Sequence, residues 1–243
     1  MKGKLIGDIL VVKKVPDNLD ELIQLPYINN VVKIGHIHGQ KREPDIELIY
    51  GDRTETIHKE NYCKFKIDVS KVMWSKGNTG ERLRMSKLPE KSETIIDMFA
   101  GIGYFTIPMA VHSKPKRIYA IEINPVSYEF LCENIKLNNV DEIVKPILGD
   151  CGEQDFDHIA DRIMMGYIGT THLYLDQAIS YLKEGGILHY HESTPEAILF
   201  KRPVERVKLA AQKQGRTIEV INKRSIKKYS PGVHHTVIDV KVN

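Results

Sequence analysis

The sequence lacks the features that mark membrane-spanning, secreted and disulfide-stabilised proteins. No run of about 18 or more apolar residues occurs in the 243-residue chain, so we expect no membrane-spanning helix. Asp8 interrupts the first apolar stretch, which argues against a secretory signal peptide. The three cysteines, Cys63, Cys132 and Cys151, are scattered, odd in number and form no C-x-x-C pair. This usage predicts reduced thiols and a cytoplasmic location.

The sequence also contains no internal repeat and no low-complexity tract. Its hydrophobic content of 42% is ordinary for a globular chain long enough for one large domain or two smaller ones. Residues 1–70 contain short segments with strand-like alternation, among them 5–12, and no long helix. We therefore predict a small α+β domain over residues 1–70.

Residues 93–243 show a different pattern, in which apolar strands alternate with amphipathic helices, including a basic helix over 196–214. This alternation predicts an α/β fold with a doubly wound, mostly parallel sheet covered on both faces. The last two apolar segments, 217–222 and 233–242, are separated by the turn-like residues 227–232. They predict a terminal antiparallel strand at one edge of the sheet.

An acidic residue and a glycine turn follow the first strand of this region. The apolar run 94–96 leads into Asp97 and then into Ala100-Gly101-Ile102-Gly103, and the next predicted strand, 117–121, ends at Glu122. A glycine turn lets the backbone approach a ligand closely, and an acidic residue at a strand tip can accept both hydroxyls of a ribose. The pair predicts a nucleoside cofactor at the carboxyl ends of the strands.

The glycine turn differs from the dinucleotide-binding fingerprint G-x-G-x-x-G/A, because Thr106 stands at the third small position. Asp97, just before the turn, would repel a phosphate and suits a cationic group such as an amino-acid ammonium. A nucleoside with an amino-acid tail and no phosphate is S-adenosylmethionine, which we predict as the cofactor. The alternative is a strand–turn–helix corner whose glycines serve packing alone.

Polar residues also follow the third and fifth predicted strands. We predict that the Asp150 carboxylate accepts a hydrogen bond from an adenine amine and that the Cys151 N–H donates to a ring nitrogen. A loop carboxylate or helix cap is an equal alternative for Asp150. His189 and His191 share one strand face just before Glu192. Since no third ligand stands at a matching spacing, we predict no metal site and assign these histidines to the polar lining of a substrate cleft.

The basic residues are unevenly distributed along the chain. The net charge is only +3, but residues 201–228 contain ten basic side chains, opposed by Glu205 and Glu219 alone. The ordinary reading of such a run is a solvated helix face. Its place beside the predicted cofactor end favours a polyanionic partner, and we predict RNA.

At this point four motifs resemble a known pair of tRNA-modifying enzyme families. The run 97–108 is similar to the cofactor motif of the archaeal and eukaryotic tRNA guanine-N1 methyltransferases and of the wybutosine-pathway aminocarboxypropyltransferases. Residues 56–75 resemble the small domain that precedes catalysis in both, 75–82 their cofactor-contacting linker loop, and 228–235 their C-terminal motif. The resemblance covers the chain from about residue 30 and implies a class I S-adenosylmethionine-dependent, Rossmann-like fold with a linker loop over 71–92.

The resemblance favours the aminocarboxypropyltransferases over the methyltransferases. The methyltransferase motif Met-Asn-Leu-Pro corresponds here to Met165-Gly166-Tyr167-Ile168, which lacks both the Asn and the Pro. Residues 104–106 also look more like the aminocarboxypropyl enzymes. The implied substrate is the tricyclic demethylwyosine base in the anticodon loop of tRNA-Phe. A tRNA or small-molecule methyltransferase, and a non-catalytic tRNA-binding protein that keeps the cofactor for structure, stay open as alternatives.

The strand ends and the resemblance together single out two sets of candidate site residues. The predicted contacts with S-adenosylmethionine are Ser75, Arg82, Asp97, Phe99, Ala100, Gly101, Glu122, Ile123, Asp150 and Cys151. The predicted contacts with tRNA or its base are Tyr104, Tyr167, His191, Arg202, Arg206 and Lys228. For Arg82 we predict a fork on the methionyl carboxylate, with a phosphate contact or a surface salt bridge as alternatives. No residue stands out as a general base.

Overall fold

The computed structural model describes residues 3–38, 43–72, 74 and 76–243, and these residues form three β-sheets flanked by helices. Within these ranges no helix is both long enough and apolar enough to cross a membrane. Ser75, one of the predicted cofactor contacts, lies outside the described residues.

Two small sheets occupy the first part of the chain. One contains four strands in the order β1-β2-β3-β4, and the other is a hairpin of β5 and β6. The elements are β1 (Lys4–Ile6), β2 (Ile9–Val12), α1 (Leu19–Leu22), β3 (Asn30–His38), β4 (Glu43–Tyr50), β5 (Glu55–Glu60) and β6 (Cys63–Asp68). The predicted α+β character is confirmed, but the single strand predicted over 5–12 is wrong. Gly7, at φ +56°, turns the chain there and makes an antiparallel pair of two shorter strands.

A seven-stranded sheet forms the rest of the molecule, in the order β12-β13-β11-β10-β7-β8-β9. Within this order, β11, β10, β7, β8 and β9 are parallel to one another. β13 is antiparallel to both β11 and β12. The predicted doubly wound sheet with a terminal antiparallel strand is confirmed. Its elements are α2 (Thr79–Met85), β7 (Thr94–Asp97), α3 (Thr106–His112), β8 (Arg117–Glu122), α4 (Pro125–Leu137), β9 (Val144–Leu148), β10 (Ala160–Met165), α5 (Leu175–Tyr181), β11 (Leu182–Pro195), α6 (Lys201–Lys213), β12 (Ile218–Ser230) and β13 (Val233–Val242).

Two predicted boundaries in this region differ from the structure. The predicted helix 196–214 divides into a short 3₁₀ turn, Glu196–Ile198, and α6. Pro203 explains the late start of α6, because proline fits only the first turn of an α-helix. The predicted turn over 227–232 is shorter than expected, since β12 continues to Ser230 before the chain reverses at Gly232 (φ +69°).

The sheet is covered on both faces, as neighbouring residues of β7 show. Ile95 packs in a core with α3, α4 and the β5–β6 hairpin, while Ile96 packs in a second core with α5 and α6. Both residues are fully buried, as expected when successive strand residues point to opposite faces. The first core contains residues from both sides of position 70, and the domain boundaries at residues 70 and 93 stay a prediction.

The buried side chain of Asn134, on α4, connects the hairpin to the glycine turn. Its Oδ1 accepts from the Lys66 N–H at 2.6 Å, and its Nδ2 donates to the Ile102 carbonyl at 3.0 Å. α4 itself begins as the sequence predicts, with Pro125 at its first position and the Asn124 side chain accepting from the Val126 N–H. These contacts fix the loop after β7 relative to the first sheets.

Candidate functional site

A cavity of about 320 Å³ opens at the carboxyl ends of the parallel strands, where ligands bind in doubly wound sheets. Much of its lining comes from residues that the sequence singles out. The predicted site residues that line it are Arg82, Phe99, Gly101, Tyr104, Glu122, Ile123, Asp150, Cys151 and Tyr167. The structure therefore brings nine of the candidates to one place.

The glycine turn and Glu122 meet directly at the floor of this cavity. Gly101 (φ +57°) and Gly103 (φ +97°) adopt left-handed conformations that glycine tolerates best. The Gly101 N–H donates to Glu122 Oε2 at 2.7 Å, and the Asn124 N–H donates to Oε1 at 2.8 Å. Burial raises the pKa of Glu122, while these N–H groups oppose the rise. The carboxylate is thus held in one orientation at the cavity wall, as a ribose-binding acceptor requires.

Asp97 and Ala100 are buried beneath the turn and are absent from the cavity lining. Asp97 Oδ2 accepts from the Thr106 hydroxyl at 2.7 Å, and Oδ1 accepts from the Phe99 N–H at 3.3 Å. Burial raises the Asp97 pKa to about 6. Through Thr106, Asp97 connects β7 to the first turn of α3. Its direct contact with a ligand ammonium stays a prediction.

Three aromatic rings form a cluster in the cavity lining, and one of them contacts Asp150. The centroid of the Phe99 ring lies 5.6 Å from that of Tyr167 and 5.4 Å from that of Tyr174. The Tyr174 hydroxyl donates to Asp150 Oδ2 at 3.3 Å, and Asp150 Oδ1 accepts from the Gly152 N–H at 2.8 Å. Aromatic rings in edge-on and tilted contact, with a nearby carboxylate, suit a planar base that carries an amine. Tyr174 is absent from the predictions, because it follows a loop rather than a strand end.

Cys151, which follows Asp150, makes its polar contact through its backbone rather than through its sulfur. Cys151 is buried, and its carbonyl accepts from the Tyr181 hydroxyl at 2.9 Å. Burial raises the pKa of its thiol well above the ordinary value, so the sulfur is not a nucleophile at neutral pH.

Arg82 reaches the cavity, and one edge of its guanidinium binds a protein carboxylate. Its Nε and Nη2 donate to the two Glu60 oxygens at 2.6 and 2.8 Å, and the guanidinium lies 4.7 Å above the Trp74 ring. Arg82 is 1% exposed, so this is a buried pair and the surface salt bridge is excluded. The predicted contact with a methionyl carboxylate stays a prediction.

Four predicted substrate contacts lie outside the cavity lining. His191 is fully buried on β11, and Lys228 is exposed on β12. Arg202 and Arg206 both pair with the buried Glu192, Arg202 Nε at 2.5 Å and Arg206 Nη1 at 2.9 Å. This pairing gives both arginines a structural role in attaching α6 to β11.

The structure instead places three other residues of the last hairpin at the cavity. Lys227, Tyr229 and His235 line it. Tyr229 and His235 belong to the C-terminal motif and Lys227 directly precedes it, whereas the residue predicted from this motif is Lys228. Strand alternation is the signal that finds Lys227 and Tyr229, because they flank Lys228 and point to the opposite side of β12.

Gly166 lines the cavity at the end of β10, where its lack of a side chain has a steric cause. A Cβ atom at this position would lie 2.7 Å from the Phe105 ring. Any larger residue therefore requires Phe105 to move. A polar side chain at this strand end is therefore incompatible with the present position of the ring.

Within the described residues no group of three or more His, Cys, Asp or Glu side chains has the arrangement of a metal site. His189, one of the two histidines considered for such a site, is fully engaged in a buried network. Its Nδ1 lies 2.6 Å from Asp239 Oδ1 and its Nε2 lies 2.6 Å from Arg162 Nη1. Because Arg162 is a donor, His189 is neutral with its proton on Nδ1.

A wider, open groove of about 760 Å³ lies between the first two sheets, away from the strand ends. Four of its charged side chains pair with each other, Arg53 with Asp8 at 2.6 Å and Lys66 with Glu55 at 3.2 Å. The smaller cavity, with its apolar walls and convergent polar groups, is the better ligand site.

The sheet, the glycine turn and the acidic strand tip define a class I S-adenosylmethionine-dependent, Rossmann-like transferase fold. The family model described as the TRM5/TYW2 methyltransferase domain matches residues 56–221. The chain belongs to this family.

Two related enzymes and two solved structures show how the chain compares within the family. It is 46% identical to the tRNA(Phe) (4-demethylwyosine(37)-C(7)) aminocarboxypropyltransferase of Methanocaldococcus jannaschii, over 99% of this chain and 98% of the relative. The structure of M. jannaschii TYW2 in complex with AdoMet matches with a TM-score of 0.85 at 45% identity, over 100% and 99% of the two chains. That of Pyrococcus horikoshii TYW2 in complex with MeSAdo matches with a TM-score of 0.88 at 36% identity, over 99% and 90%. The tRNA (guanine(37)-N(1))-methyltransferase Trm5b of Pyrococcus abyssi is 37% identical, over 98% of this chain and 74% of the relative.

Proposed function

We propose that the chain transfers the 3-amino-3-carboxypropyl group of S-adenosylmethionine to the 4-demethylwyosine base 3′ of the anticodon in tRNA-Phe and releases methylthioadenosine. The observation that carries this proposal is the full-length similarity, at 46% identity, to a relative named for that transfer. The related protein solved with methylthioadenosine, the nucleoside that such a transfer leaves behind, supports it.

The cavity contains the groups that an adenosine moiety requires. The oriented carboxylate of Glu122 accepts from the ribose hydroxyls. Phe99 and Tyr174 enclose the adenine, whose amine and ring nitrogen meet the Asp150 side chain and the Cys151 N–H. These roles fix the nucleoside over β8 and β9 and leave the sulfonium and its amino-acid arm to extend toward β10.

The choice of transferred group depends on the direction of that arm. A sulfonium has three electrophilic carbons, and the one that lies in line with the nucleophile, roughly 3–3.5 Å from it, is transferred. In the proposed reaction, C7 of the base attacks the γ-carbon of the methionyl arm. The bond from that carbon to sulfur breaks, and its electron pair neutralises the sulfonium.

The partner is a tRNA, and we propose the anticodon loop of tRNA-Phe as the bound part. A base in a loop is unstacked at lower cost than one in a duplex, so it can be turned into a cavity at the strand ends. The exposed residues Lys223, Arg224 and Lys228 on β12 lie next to the cavity residues of the same strand and suit phosphate binding. The proposal includes a cytoplasmic location and a reaction that needs no metal.

A transfer assay with two labels tests the proposed reaction. S-adenosylmethionine carrying one isotope in its methyl group and another in its carboxyl group is incubated with tRNA-Phe that bears 4-demethylwyosine. The proposal predicts carboxyl label, and no methyl label, in the tRNA. Methyl label in the tRNA would overturn it, and transfer of neither label would favour a non-catalytic tRNA-binding protein.

Guanine-N1 methylation of tRNA is the second candidate function. It is favoured by the 37% identity to a relative named for that activity. The same assay with tRNA carrying unmodified guanine at that position distinguishes the two, because methyl label would then enter the tRNA.

A further inference from the structure

Two buried histidines form a pair at the end of the cavity that lies farthest from Glu122. His235, on β13, is 1% exposed and lines the cavity, and His191, on β11, is fully buried behind it. His191 Nδ1 and His235 Nε2 are 2.9 Å apart and share one hydrogen bond. The remaining nitrogens, His235 Nδ1 and His191 Nε2, are buried and have no hydrogen-bond partner among the described residues. A buried polar atom without a partner costs stability, so an unpaired nitrogen at a ligand cavity points to a ligand group.

The strand order places this pair where the acceptor base would enter. Glu122 ends β8, and four strand steps separate β8 from β13, which is roughly 19 Å at about 4.8 Å per step. The end of β10, where the sulfonium arm would extend, lies between them. Lys227 and Tyr229 line the cavity on the β12 side of His235 and connect it to the exposed basic strand.

The surroundings keep His235 uncharged at neutral pH. Burial and, to a smaller extent, the neighbouring Lys227 ammonium lower its pKa to about 4. Burial also lowers the pKa of His191 well below the ordinary range, and His235, His189 and Arg84 act in the same direction against the weaker opposing effect of Asp239. When His235 donates its Nε2 proton to His191 Nδ1, its Nδ1 carries a free lone pair. The pair is then a neutral proton acceptor whose tautomer is set by hydrogen bonding.

The proposed reaction requires such an acceptor. When C7 of the base bonds to the γ-carbon and the carbon–sulfur bond breaks, sulfur takes the electron pair and the base is left with a positive charge. The C7–H bond must then give up its proton to restore the aromatic ring. Among the cavity residues, Glu122 and Asp150 lie at the nucleoside end, whereas Arg82 and Lys227 are cations.

We propose that His235 is a catalytic residue that accepts the C7 proton through Nδ1, and that His191 is a positioning residue that holds the His235 ring and its tautomer. This role rests on the proposed function. Nδ1 is buried beside the cavity and has no hydrogen-bond partner among the described residues, so the role requires the entering base to come into contact with this atom. The proton then resides on His235 until the modified base leaves and solvent enters.

Single-turnover kinetics of His235→Gln and His235→Asn test this role. The assay uses carboxyl-labelled S-adenosylmethionine and tRNA-Phe whose 4-demethylwyosine carries hydrogen or deuterium at C7. His234→Gln is the matched control, because His234 neighbours His235 in sequence and its Nδ1 bonds instead to the Ser225 hydroxyl at 2.8 Å. Thermal melting and methylthioadenosine affinity, measured for every variant, separate folding and cofactor binding from chemistry.

The expected result is a fall of about 10²-fold or more in the single-turnover rate of both His235 variants, the usual contribution of a general base. Methylthioadenosine affinity should stay within about twofold, and a deuterium isotope effect larger than that of the wild type should appear, since proton removal becomes slower. A purely structural role would not produce that isotope effect. The His234→Gln rate should match the wild-type rate.

Either of two results would overturn the role while leaving the proposed function intact. One is a His235→Gln or His235→Asn rate close to that of the wild type. The other is a rate that falls only in proportion to lost methylthioadenosine binding or lost folding, with an unchanged isotope effect. Methyl rather than carboxyl transfer by the wild type would instead overturn the proposed function, and this role with it.

Discussion

Glu122 is the residue on which the nucleoside site depends most. Its carboxylate is fixed by two backbone N–H groups and faces the cavity, so the ribose contact requires no reorganisation. We expect Glu122→Gln to weaken methylthioadenosine binding by about 10- to 100-fold, since a hydrogen bond to a charged group contributes about 1.5–3 kcal/mol. Calorimetric titration measures the change, with the exposed Glu153→Gln as the control. If the Glu122 variant kept the wild-type affinity, the proposed contact between Glu122 and the ribose would be excluded.

Asp97 gives the fold a dependence on pH. Its pKa is raised by burial from 3.8 to about 6, so the folded protein binds more protons than the unfolded chain between these values. Stability is therefore lost as the pH rises through this window, and the cost reaches about 3 kcal/mol above it. Asp97→Asn should escape that cost, because an uncharged amide can still accept from the Thr106 hydroxyl.

Urea unfolding at pH 4.5 and pH 7.5 checks this prediction. The free energy of unfolding of Asp97→Asn, relative to the wild type, should be higher at the upper pH than at the lower one. Asp141→Asn, an exposed change, is the control for general charge effects. A difference between Asp97→Asn and the wild type that is the same at both pH values would contradict the assignment.

At the scale of single residues, the sequence predicts those site positions that a strand end supplies. Glu122, Asp150 and Gly101 are examples, because the carboxyl ends of parallel strands meet at one edge of the sheet. Tyr174 and His235 are missed for a physical reason. Tyr174 follows a loop, and His235 lies near the start of an antiparallel strand, so it reaches the same edge from the opposite chain direction.

At the scale of elements, the agreement between sequence and structure follows the strength of the local signals. The strand–turn–helix unit from β7 to α3 is predictable, because an apolar run, an acidic residue and glycines specify it together. β3 carries a weak local signal, since its residues 30–38 mix polar and apolar types, and its pairing with the buried β2 is a tertiary effect. The end of β12 resembles a turn because it contains two lysines and a serine, yet pairing with β13 keeps it extended.

β12 is the element that we expect to bind tRNA phosphates. Lys223→Gln together with Lys228→Gln removes two exposed cations from it without touching the cavity lining. Each lost phosphate contact should lower the slope of log affinity against log salt by about 0.7 to 0.9, so the double variant should lose up to twice that. Filter binding of tRNA-Phe across a salt series measures the slope.

The matched control for β12 is Lys213→Gln on α6, whose ammonium pairs with Asp176 at 2.9 Å on the exposed surface. It should keep the wild-type slope. If the β12 variant kept the wild-type slope while Lys213→Gln lost part of it, α6 and not β12 would be the tRNA-binding element.

At the scale of the whole molecule, a buried ionic network joins α2 to the centre of the large sheet. Arg84, on α2, bonds to Asp239 of β13 at 2.6 Å and to Glu81 at 2.5 Å. Asp239 continues through His189 to Arg162, which pairs with Glu93 at 2.7 Å. The network joins α2, the helix that contributes Arg82, to β11 and β13, the strands that contribute His191 and His235.

Breaking this network should destabilise the whole fold. Arg84→Met removes the cation that pairs with the buried carboxylates of Glu81 and Asp239. Breaking a buried ion pair in this way lowers the free energy of unfolding by about 3–5 kcal/mol. Chemical denaturation measures the change. The control is Arg117→Met, which alters a partly exposed strand residue that has no ion pair among the described residues. A loss below about 1 kcal/mol would mean that the network contributes little to joining α2 and the sheet.

The reaction proposed for this molecule moves the aminocarboxypropyl arm of the cofactor and not its methyl group. The most direct measurement is the identity of the nucleoside released when the protein turns over S-adenosylmethionine with tRNA-Phe bearing 4-demethylwyosine, determined by chromatography and mass spectrometry. We expect methylthioadenosine in an amount equal to the modified tRNA. Release of adenosylhomocysteine in that amount would contradict the proposed reaction.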